Sequence, residues 1–214
     1  LEFEALCLPL QDTLEGLPWH APNYSGQDGA LGWSEGVFEV PKGLESRVQF
    51  WSDVYGRYTT DQGILHDRFF FEIVYEVIDF GPIMADKHKS IFRKAIEREK
   101  LVNERRAAIS AKLLRLSLLS SADGLTGDDL RLWRLFESVN DPKKFKSAAD
   151  KKRIRFQLGQ KDRFALGIYH AGRYLREMEQ IFREERLPVE LTRIPFVESS
   201  FNINARSKVG ASGI

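Results

Sequence analysis

The chain has 214 residues, of which 43% are hydrophobic, and its 32 basic and 31 acidic side chains leave a formal net charge of +1. This length and composition fit one or two small globular domains, and the balanced charge gives no overall electrostatic preference for nucleic acid. A single cysteine, Cys7, excludes an internal disulfide framework. We also expect neither a metal nor another cofactor, because the four histidines are scattered and are expected at the surface or core edge: His20, His66, His88 and His170.

Residues 1–40 are rich in Gly, Pro, Asn and Asp, with four aromatic residues between them: Trp19, Tyr24, Trp33 and Phe38. This composition predicts an extended arm that packs on the body of the protein through its aromatic side chains. No signal peptide or membrane-spanning run is recognisable in the sequence. Lipidation of Cys7 is not favoured, because Leu6 stands where a small residue is expected.

Residues 41–140 form the second predicted region, a helical region that contains a β-hairpin near residues 63–80. A first amphipathic helix is indicated by five apolar residues at helical spacing: Leu44, Val48, Trp51, Tyr55 and Tyr58. The runs 64–66 and 70–80 are rich in aromatic and β-branched residues and predict two strands that turn near Asp67 and Arg68. The acidic residues of the second run also allow a helix there.

A long basic helix is predicted from Ala85 to Ser120, which contains no Pro or Gly. Its apolar positions recur at helical spacing: Ile91, Ala95, Leu101 or Val102, Ile109, Leu113 and Leu116. Gly124 and Gly127 end this element, and Thr126 or Asp128 can cap a short helix after it. One side of that short helix is apolar: Leu130, Trp133, Phe136 and Val139.

The third region, residues 141–214, begins with a basic segment, Lys143 to Arg155, that has seven basic residues and one acidic residue. We interpret it as a solvated helix face. The alternatives are binding of anionic stem-peptide carboxylates or of nucleic acid, although only Phe145 and Phe156 lie nearby for base stacking. A strongly amphipathic helix is then predicted from Lys161 to Glu185, in which Gly167 and Gly172 would permit close approach by another helix.

A single acid, Glu198, lies within the last predicted helix, which begins at Pro188. Four apolar residues fall on the same side of that helix as Glu198: Leu187, Leu191, Ile194 and Phe201. This pattern predicts that Glu198 lies on the buried face, where loss of water disfavours the charged carboxylate, as a general acid working near neutral pH requires. The alternative is a structural glutamate that pairs with a basic residue such as Arg193 or Arg206.

The residues around and after Glu198 form a motif of hydroxyl-bearing and small side chains with one aromatic: Ser199, Phe201, Ala205, Ser207, Gly210, Ala211 and Gly213. Together with the run Leu187 to Leu191 and the element Pro195 to Ser199, this stretch resembles the lysozyme-like lytic transglycosylases of glycoside hydrolase family 23. The likeness is to the membrane-bound lytic murein transglycosylase D type. In this chain Arg186 stands where the family usually has glycine, and Ile203 replaces a proline.

The patterns along the chain predict a mainly α fold with a small β-hairpin. The resemblance implies that the helical N-terminal region is followed by the first helices of a lysozyme-like domain. It implies cleavage of the β-1,4 bond between N-acetylmuramic acid and N-acetylglucosamine, with Glu198 as acid and then base and a 1,6-anhydromuramoyl product. Ser199, Ser207, Gly210, Ala211 and Gly213 are then candidates for contacts with substrate, and Phe201 is a candidate packing anchor. The helix before Leu187 is expected to pack under the catalytic helix.

The implied partners are peptidoglycan glycan strands and other cell-wall enzymes, but not nucleic acid. The implied location is the periplasm or envelope of a Gram-negative bacterium, with peripheral association with the outer membrane. The family's motif continues into a further helical lobe, which is absent from this chain after Ile214. Two alternatives therefore stay open, a lysozyme-type hydrolase and a truncated or inactive relative that binds glycan or acts as a scaffold.

Overall fold

The computed structural model describes residues 38–205, so the predicted arm and the last part of the motif lie outside the described residues. The described chain comprises two compact units, residues 43–160 and residues 161–205, with residues 38–42 grouped with the second. The fold is mainly helical with one small antiparallel sheet, which confirms the predicted fold class. No helix between residues 38 and 205 is both long and apolar enough to span a membrane.

The first unit contains five helices and three strands. In chain order they are α1 (Glu45–Gly56), β1 (Gln62–Asp67), β2 (Val74–Asp79), α2 (Gly81–Met84), α3 (Ile91–Leu116), α4 (Gly127–Arg134), α5 (Lys144–Ala148) and β3 (Ile154–Leu158). The strands form an antiparallel sheet with the order β2-β1-β3, so β1 is central.

The predicted hairpin is present as β1 and β2, and a bulge between Leu65 and His66 shifts its register. The turn begins at Asp67, as predicted, because one oxygen of its carboxylate accepts hydrogen bonds from the backbone N–H groups of Phe69 (2.8 Å) and Phe70 (3.1 Å). The second strand starts only at Val74. Residues 70–73 belong to the turn, so the aromatic run alone overestimated the length of this strand.

The interpretation of Lys143 to Arg155 as one solvated helix face is wrong. The segment forms the five-residue helix α5, a turn, and the start of β3, which pairs with β1 from Gly63↔Leu158 to Asp67↔Ile154. Its apolar ends, Ile154 and Leu158, are buried. Pairing with a distant strand decides this structure, so β3 belongs to the compact unit that ends at Gln160. The domain boundary near residue 140 stays a prediction.

The largest core cluster lies in the first unit, where one face of α3 packs with the sheet, α4 and α5. Helix α3 contributes Val102, Ile109, Leu113 and Leu116 to this cluster, as the helical spacing predicted. The predicted stripe fails only at its start, because Ile91 is exposed. The buried residues of α4 and the turns after it are Leu132, Phe136 and Val139.

A buried ion pair joins Asp67, where the turn after β1 begins, to Arg153 in the turn that precedes β3. Asp67 is fully buried, and its second carboxylate oxygen accepts hydrogen bonds from Tyr75 Oη (2.8 Å) and Arg153 Nε (2.7 Å). Arg153 also donates to Ser147 Oγ at 2.7 Å. Burial, and then the adjacent Asp67 carboxylate, raise the pKa of the Tyr75 phenol, which therefore stays a hydrogen-bond donor. The network fixes the turn before β3 to the hairpin.

The second unit consists of short helices. They are α6 (Lys161–Ala171), α7 (Leu175–Glu184), a 3-10 helix (Val189–Arg193) and α8 (Ile194–Glu198). The single helix predicted from Lys161 to Glu185 is therefore interrupted, and the chain turns between Ala171 and Leu175. Gly172 lies at this interruption, where its low helix propensity favours a break.

Candidate active site

The approach to the motif begins with a left-handed residue after α7. Arg186 has a φ of 57°, and the next N–H, that of Leu187, donates to the carbonyl of Phe182 at 2.7 Å. This arrangement closes the helix with the backbone conformation that glycine adopts most easily. A glycine would adopt this φ more easily than an arginine. This is a physical reason for the glycine that the resembling family usually has before Leu-Pro, at the position of Arg186 in this chain.

The predicted helix from Pro188 is formed as two shorter pieces, the 3-10 helix and α8. A 3-10 helix turns by about 120° per residue instead of about 100°, so side chains before Arg193 rotate away from the positions that α-helical spacing predicts. Leu187, which precedes the 3-10 helix, is 48% exposed. Pro195 in the first turn of α8 has no N–H to lose there and is buried.

Glu198 is the last residue of α8, and its side chain is exposed, so the prediction that it lies on a buried face is wrong. Ile194 shares its side of the helix, as predicted, but that side faces solvent and Ile194 is 51% exposed. The inward side of α8 carries Pro195 and partly Phe196. The free chain therefore presents Glu198 to solvent instead of enclosing it.

The turn after Glu198 has an unusual backbone, with φ of 52° at Ser200 and 54° at Phe201. Phe201 is only 2% exposed and packs in a small cluster with Ala171 and Leu175. Its ring lies edge-on to that of Phe196, with a centroid separation of 4.7 Å. Burial of one large aromatic side chain supplies the free energy that holds two left-handed residues. The predicted role of Phe201 as a packing anchor fits these contacts.

Gly167 of α6 faces this turn. A Cβ atom at Gly167 would lie 3.1 Å from Ser200 Cβ and 3.3 Å from its carbonyl oxygen, closer than ordinary contact. The rings of Phe164 and Phe196 lie 5.2 Å apart beside it. The expected packing of the predicted helix 161–185 against the helix that carries Glu198 is present for its first part, α6, which contacts α8, and Gly167 permits this close approach.

Beneath the 3-10 helix lies an ion-pair cluster that the sequence pattern did not reveal. Glu179 of α7 is 9% exposed and pairs with Arg183 (3.0 Å) and with Arg193. Arg193 also donates to the hydroxyl of Thr192, which is fully buried and donates to the carbonyl of Val189 at 2.6 Å. The glutamate paired with Arg193 is therefore Glu179, not Glu198. The sequence offered one signal for this, because Glu179 follows Leu175 by four residues and therefore lies on the same face of α7.

The remaining predicted residues divide between described and masked positions. Ser199 directly follows Glu198 and is partly exposed. Arg206 and four of the substrate-contact candidates lie outside the described residues: Ser207, Gly210, Ala211 and Gly213. Of the histidines, His88 is exposed and His170 is partly exposed, but His66 is buried, contrary to the expectation of a surface or core-edge position.

Chemically, this arrangement offers one accessible carboxyl group on a helix end that Phe201 and Gly167 hold in place. Such a group can donate or accept a proton from a ligand that lies over the end of α8. Residues 38–205 contain no cluster of three or more His, Cys, Asp or Glu side chains that could hold a metal ion. Comparison with protein-family models, curated proteins and solved structures found no match to this chain. The family resemblance therefore depends on the motif residues alone.

Proposed function

We propose that this chain belongs to a lytic transglycosylase that cleaves the β-1,4 bond between N-acetylmuramic acid and N-acetylglucosamine in peptidoglycan. The observation that carries the proposal is the position of Glu198, accessible to solvent at the end of α8 and followed by the anchored turn Ser199 to Phe201. This turn belongs to the motif that resembles the family. The substrate implies work at the cell wall, in the periplasm or envelope of a Gram-negative bacterium.

In the proposed reaction, the protonated carboxyl group of Glu198 donates its proton to the bridging oxygen while the bond from that oxygen to C1 of the muramoyl residue breaks. The positive charge that develops at C1 is shared with the ring oxygen. The Glu198 carboxylate then accepts the proton of the muramoyl C6 hydroxyl, and O6 forms a bond to C1. The products are a shortened glycan and a 1,6-anhydromuramoyl end, and no water is consumed.

The exposed position of Glu198 gives the substrate a defined part in this mechanism. A glycan that lies over the end of α8 excludes water from the carboxyl group, which strengthens its hydrogen bond to the bridging oxygen. In this proposal Ser199, the residue next to the acid, forms a hydrogen bond with the substrate. Phe201 and Gly167 have no contact with the substrate in this proposal, and they position the turn.

Conversion of Glu198 to glutamine tests the proposal, because the amide keeps the shape of the side chain but cannot donate the required proton. The protein expressed from its full-length gene is incubated with purified sacculi, and the soluble muropeptides are identified by mass spectrometry. We expect anhydro products from the wild type and at least about a thousandfold less from Glu198→Gln. Glu177→Gln is the matched control, because Glu177 is an exposed glutamate of α7 and should retain full activity.

The products also separate the alternatives. Muropeptides with intact reducing ends would identify a hydrolase and would contradict transglycosylation. Binding to sacculi without any released product would support the glycan-binding or scaffold relative. Equal activity of Glu198→Gln and wild type would remove Glu198 from the mechanism altogether.

A further inference from the structure

Many of the cations of the first unit are paired with acids. Helices α3 and α4 and the segments beside them carry seven such pairs within the described chain: Lys89–Asp86 (3.4 Å), Lys89–Glu97 (2.6 Å), Lys100–Glu104 (3.9 Å), Arg105–Glu76 (3.6 Å), Lys112–Asp128 (2.6 Å), Arg131–Asp128 (2.7 Å) and Arg115–Asp129. These pairs neutralise part of the positive charge of this surface. The exposed cations Lys87, Arg93 and Arg134 have no carboxylate within 4.0 Å among residues 38–205.

The segment that contains α5 and the following turn concentrates four unpaired lysines within residues 143–152. Lys143, Lys146, Lys151 and Lys152 are exposed, and none of their ammonium groups lies within 4.0 Å of a carboxylate of residues 38–205. We call these four residues the lysine patch. The chain has almost as many acidic as basic residues, so the unpaired charge reflects where the acids are placed, not their scarcity.

The other charged groups of this segment are engaged in its own structure. Arg153 is held by Asp67 inside the unit, and Lys144 Nζ donates to the carbonyls of Phe136 (2.7 Å) and Val139 (3.2 Å). Asp150 accepts the backbone N–H of Lys152 at 2.8 Å. These bonds fix the backbone under the lysine patch while its four side chains extend freely into solvent.

The basic surface continues at the edge of β3. Arg106 Nε donates to the carbonyl of Ile154 at 3.1 Å, which brings this half-buried guanidinium beside the strand. Burial, and then the neighbouring positive charge of Arg155, lower the pKa of Arg106. A further cation, Arg106, thus lies beside β3 and near the Arg155 side chain of that strand.

The shape of this surface favours a flexible carboxylate-bearing partner. The two aromatic side chains of the segment itself, Phe145 and Phe156, pack in the core and offer no surface for base stacking. The exposed ring of Phe69 lies against the guanidinium groups of Arg153 (5.3 Å) and Arg68 (5.8 Å). Helix α5 has only five residues and offers no long helix for a DNA groove. Mobile ammonium groups act as point charges that accept carboxylates in many orientations.

We propose that the lysine patch, with Arg106 at its edge, binds the free carboxylates of peptidoglycan stem peptides. This inference rests on the proposed function, because it takes the murein sacculus as the substrate. The patch would hold the protein on the sacculus between cleavage events through many weak contacts. The binding is electrostatic and falls with added salt.

Co-sedimentation with purified sacculi at low and high ionic strength tests this inference. The full-length protein carrying Lys146→Gln, Lys151→Gln and Lys152→Gln should bind about tenfold more weakly than wild type at low ionic strength. The control variant carries Lys87→Gln, Lys100→Gln and Arg134→Gln, which remove the same charge from exposed positions elsewhere in the unit, and should bind like wild type. Circular dichroism and thermal unfolding check that both variants are folded.

A second arm tests the chemical group. Amidation of the free carboxyl groups of the sacculi should weaken wild-type binding by about the same factor and should leave the triple lysine variant unchanged. Equal binding of wild type and the triple lysine variant, or no binding of wild type to sacculi, would overturn the inference. Loss of binding to DNA without loss of binding to sacculi would assign the patch to nucleic acid instead.

These outcomes are separable from those of the proposed reaction. All binding is measured in the Glu198→Gln background as well, where no cleavage alters the sacculi. If anhydro products are released and the triple lysine variant binds normally, the enzyme proposal stands and the lysine patch fails. If binding depends on the patch and on carboxylates but no product is released, the inference about the lysine patch stands and the enzyme proposal fails.

Discussion

The two units of this chain hold their structures in different ways. The first has a continuous core in which α3, the sheet, α4 and α5 share many buried side chains, together with a buried ion-pair network at Asp67. Within residues 161–205, the second has a core cluster of three buried apolar residues, Ala171, Leu175 and Phe201, and the ion pairs of Glu179. A unit with few buried contacts depends strongly on each one. The candidate acid, Glu198, thus lies in the second unit, where we expect a single substitution to disturb the surrounding structure more than in the first unit.

The largest effect is expected from Asp67→Ala in the first unit. It leaves the Arg153 guanidinium buried without its counter-charge and removes the acceptor of Tyr75 Oη, so the free energy of unfolding should fall by about 3–5 kcal/mol. Urea denaturation of the unit containing residues 43–160 measures this loss. Asp79→Ala is the control, because its exposed carboxylate only accepts the N–H of Gly81 at 2.8 Å and should contribute under about 1.5 kcal/mol.

If Asp67→Ala does not fold, Asp67→Asn provides the same test with the side-chain shape retained. It should still destabilise the first unit more than Asp79→Asn does. Equal losses for the two asparagine variants would show that the buried charge pair adds little to the stability of this unit.

Phe201→Ala should produce a large but local loss in the second unit. Removal of the buried ring leaves Ser200 and Phe201 without the packing that holds their left-handed backbone, at a cost of about 3 kcal/mol. Hydrogen exchange should then accelerate in residues 161–205 and stay unchanged in residues 43–160. Ile203→Ala, at a residue that is 57% exposed, should change neither unit, and loss of protection in both units would contradict the local role of Phe201.

A smaller effect is expected from acidification. His66 is enclosed by the rings of Phe50 (4.4 Å) and Phe71 (5.4 Å), and burial lowers its pKa below the ordinary value of 6.5, despite a hydrogen bond to the Asp67 carbonyl and the charge of the Asp67 carboxylate. The nearby Arg155 charge acts in the same direction as burial. The unfolded chain therefore takes up a proton first as the pH falls.

The contribution of the neutral His66 ring to the free energy of unfolding is fully present above pH 6.5, where the ring is neutral in both the folded and the unfolded chain. This contribution is lost progressively as the pH falls from there towards the lower pKa of His66 in the folded state. Chemical denaturation of the first unit across this range should show the loss in wild type and in His88→Gln, whose histidine is exposed. In His66→Gln the free energy of unfolding should depend less on pH over this range. An unchanged slope in that variant would assign the dependence to another group.

The smallest effect, and the only stabilising one, is expected from Arg186→Gly. The residue has a φ of 57°, a conformation that costs a side chain about 1 kcal/mol relative to glycine. The second unit should gain up to about 1 kcal/mol of stability, measured by hydrogen exchange of α7. A matched change at Arg176→Gly, inside α7, should destabilise the helix by about 1 kcal/mol.

Local patterns predicted those elements whose periodicity extends over many residues. The buried positions of α3 repeat over a helix of 26 residues, and the aromatic and β-branched run after Asp67 predicted the hairpin. Strand β3 was missed because its five residues follow a basic segment and become a strand only through pairing with β1. Short elements carry too few residues for their periodicity to outweigh tertiary contacts.

The same distinction applies to the candidate site. The amino-acid sequence by itself placed Glu198 within the last helix, Phe201 as an anchor and Gly167 as a point of close approach, because these depend on local spacing and side-chain size. The tertiary structure decided which side of α8 is exposed, which glutamate pairs with Arg193 and which strand β3 joins. Burial and ion pairing require a surface supplied by another element, and periodicity along one segment contains no information about that surface.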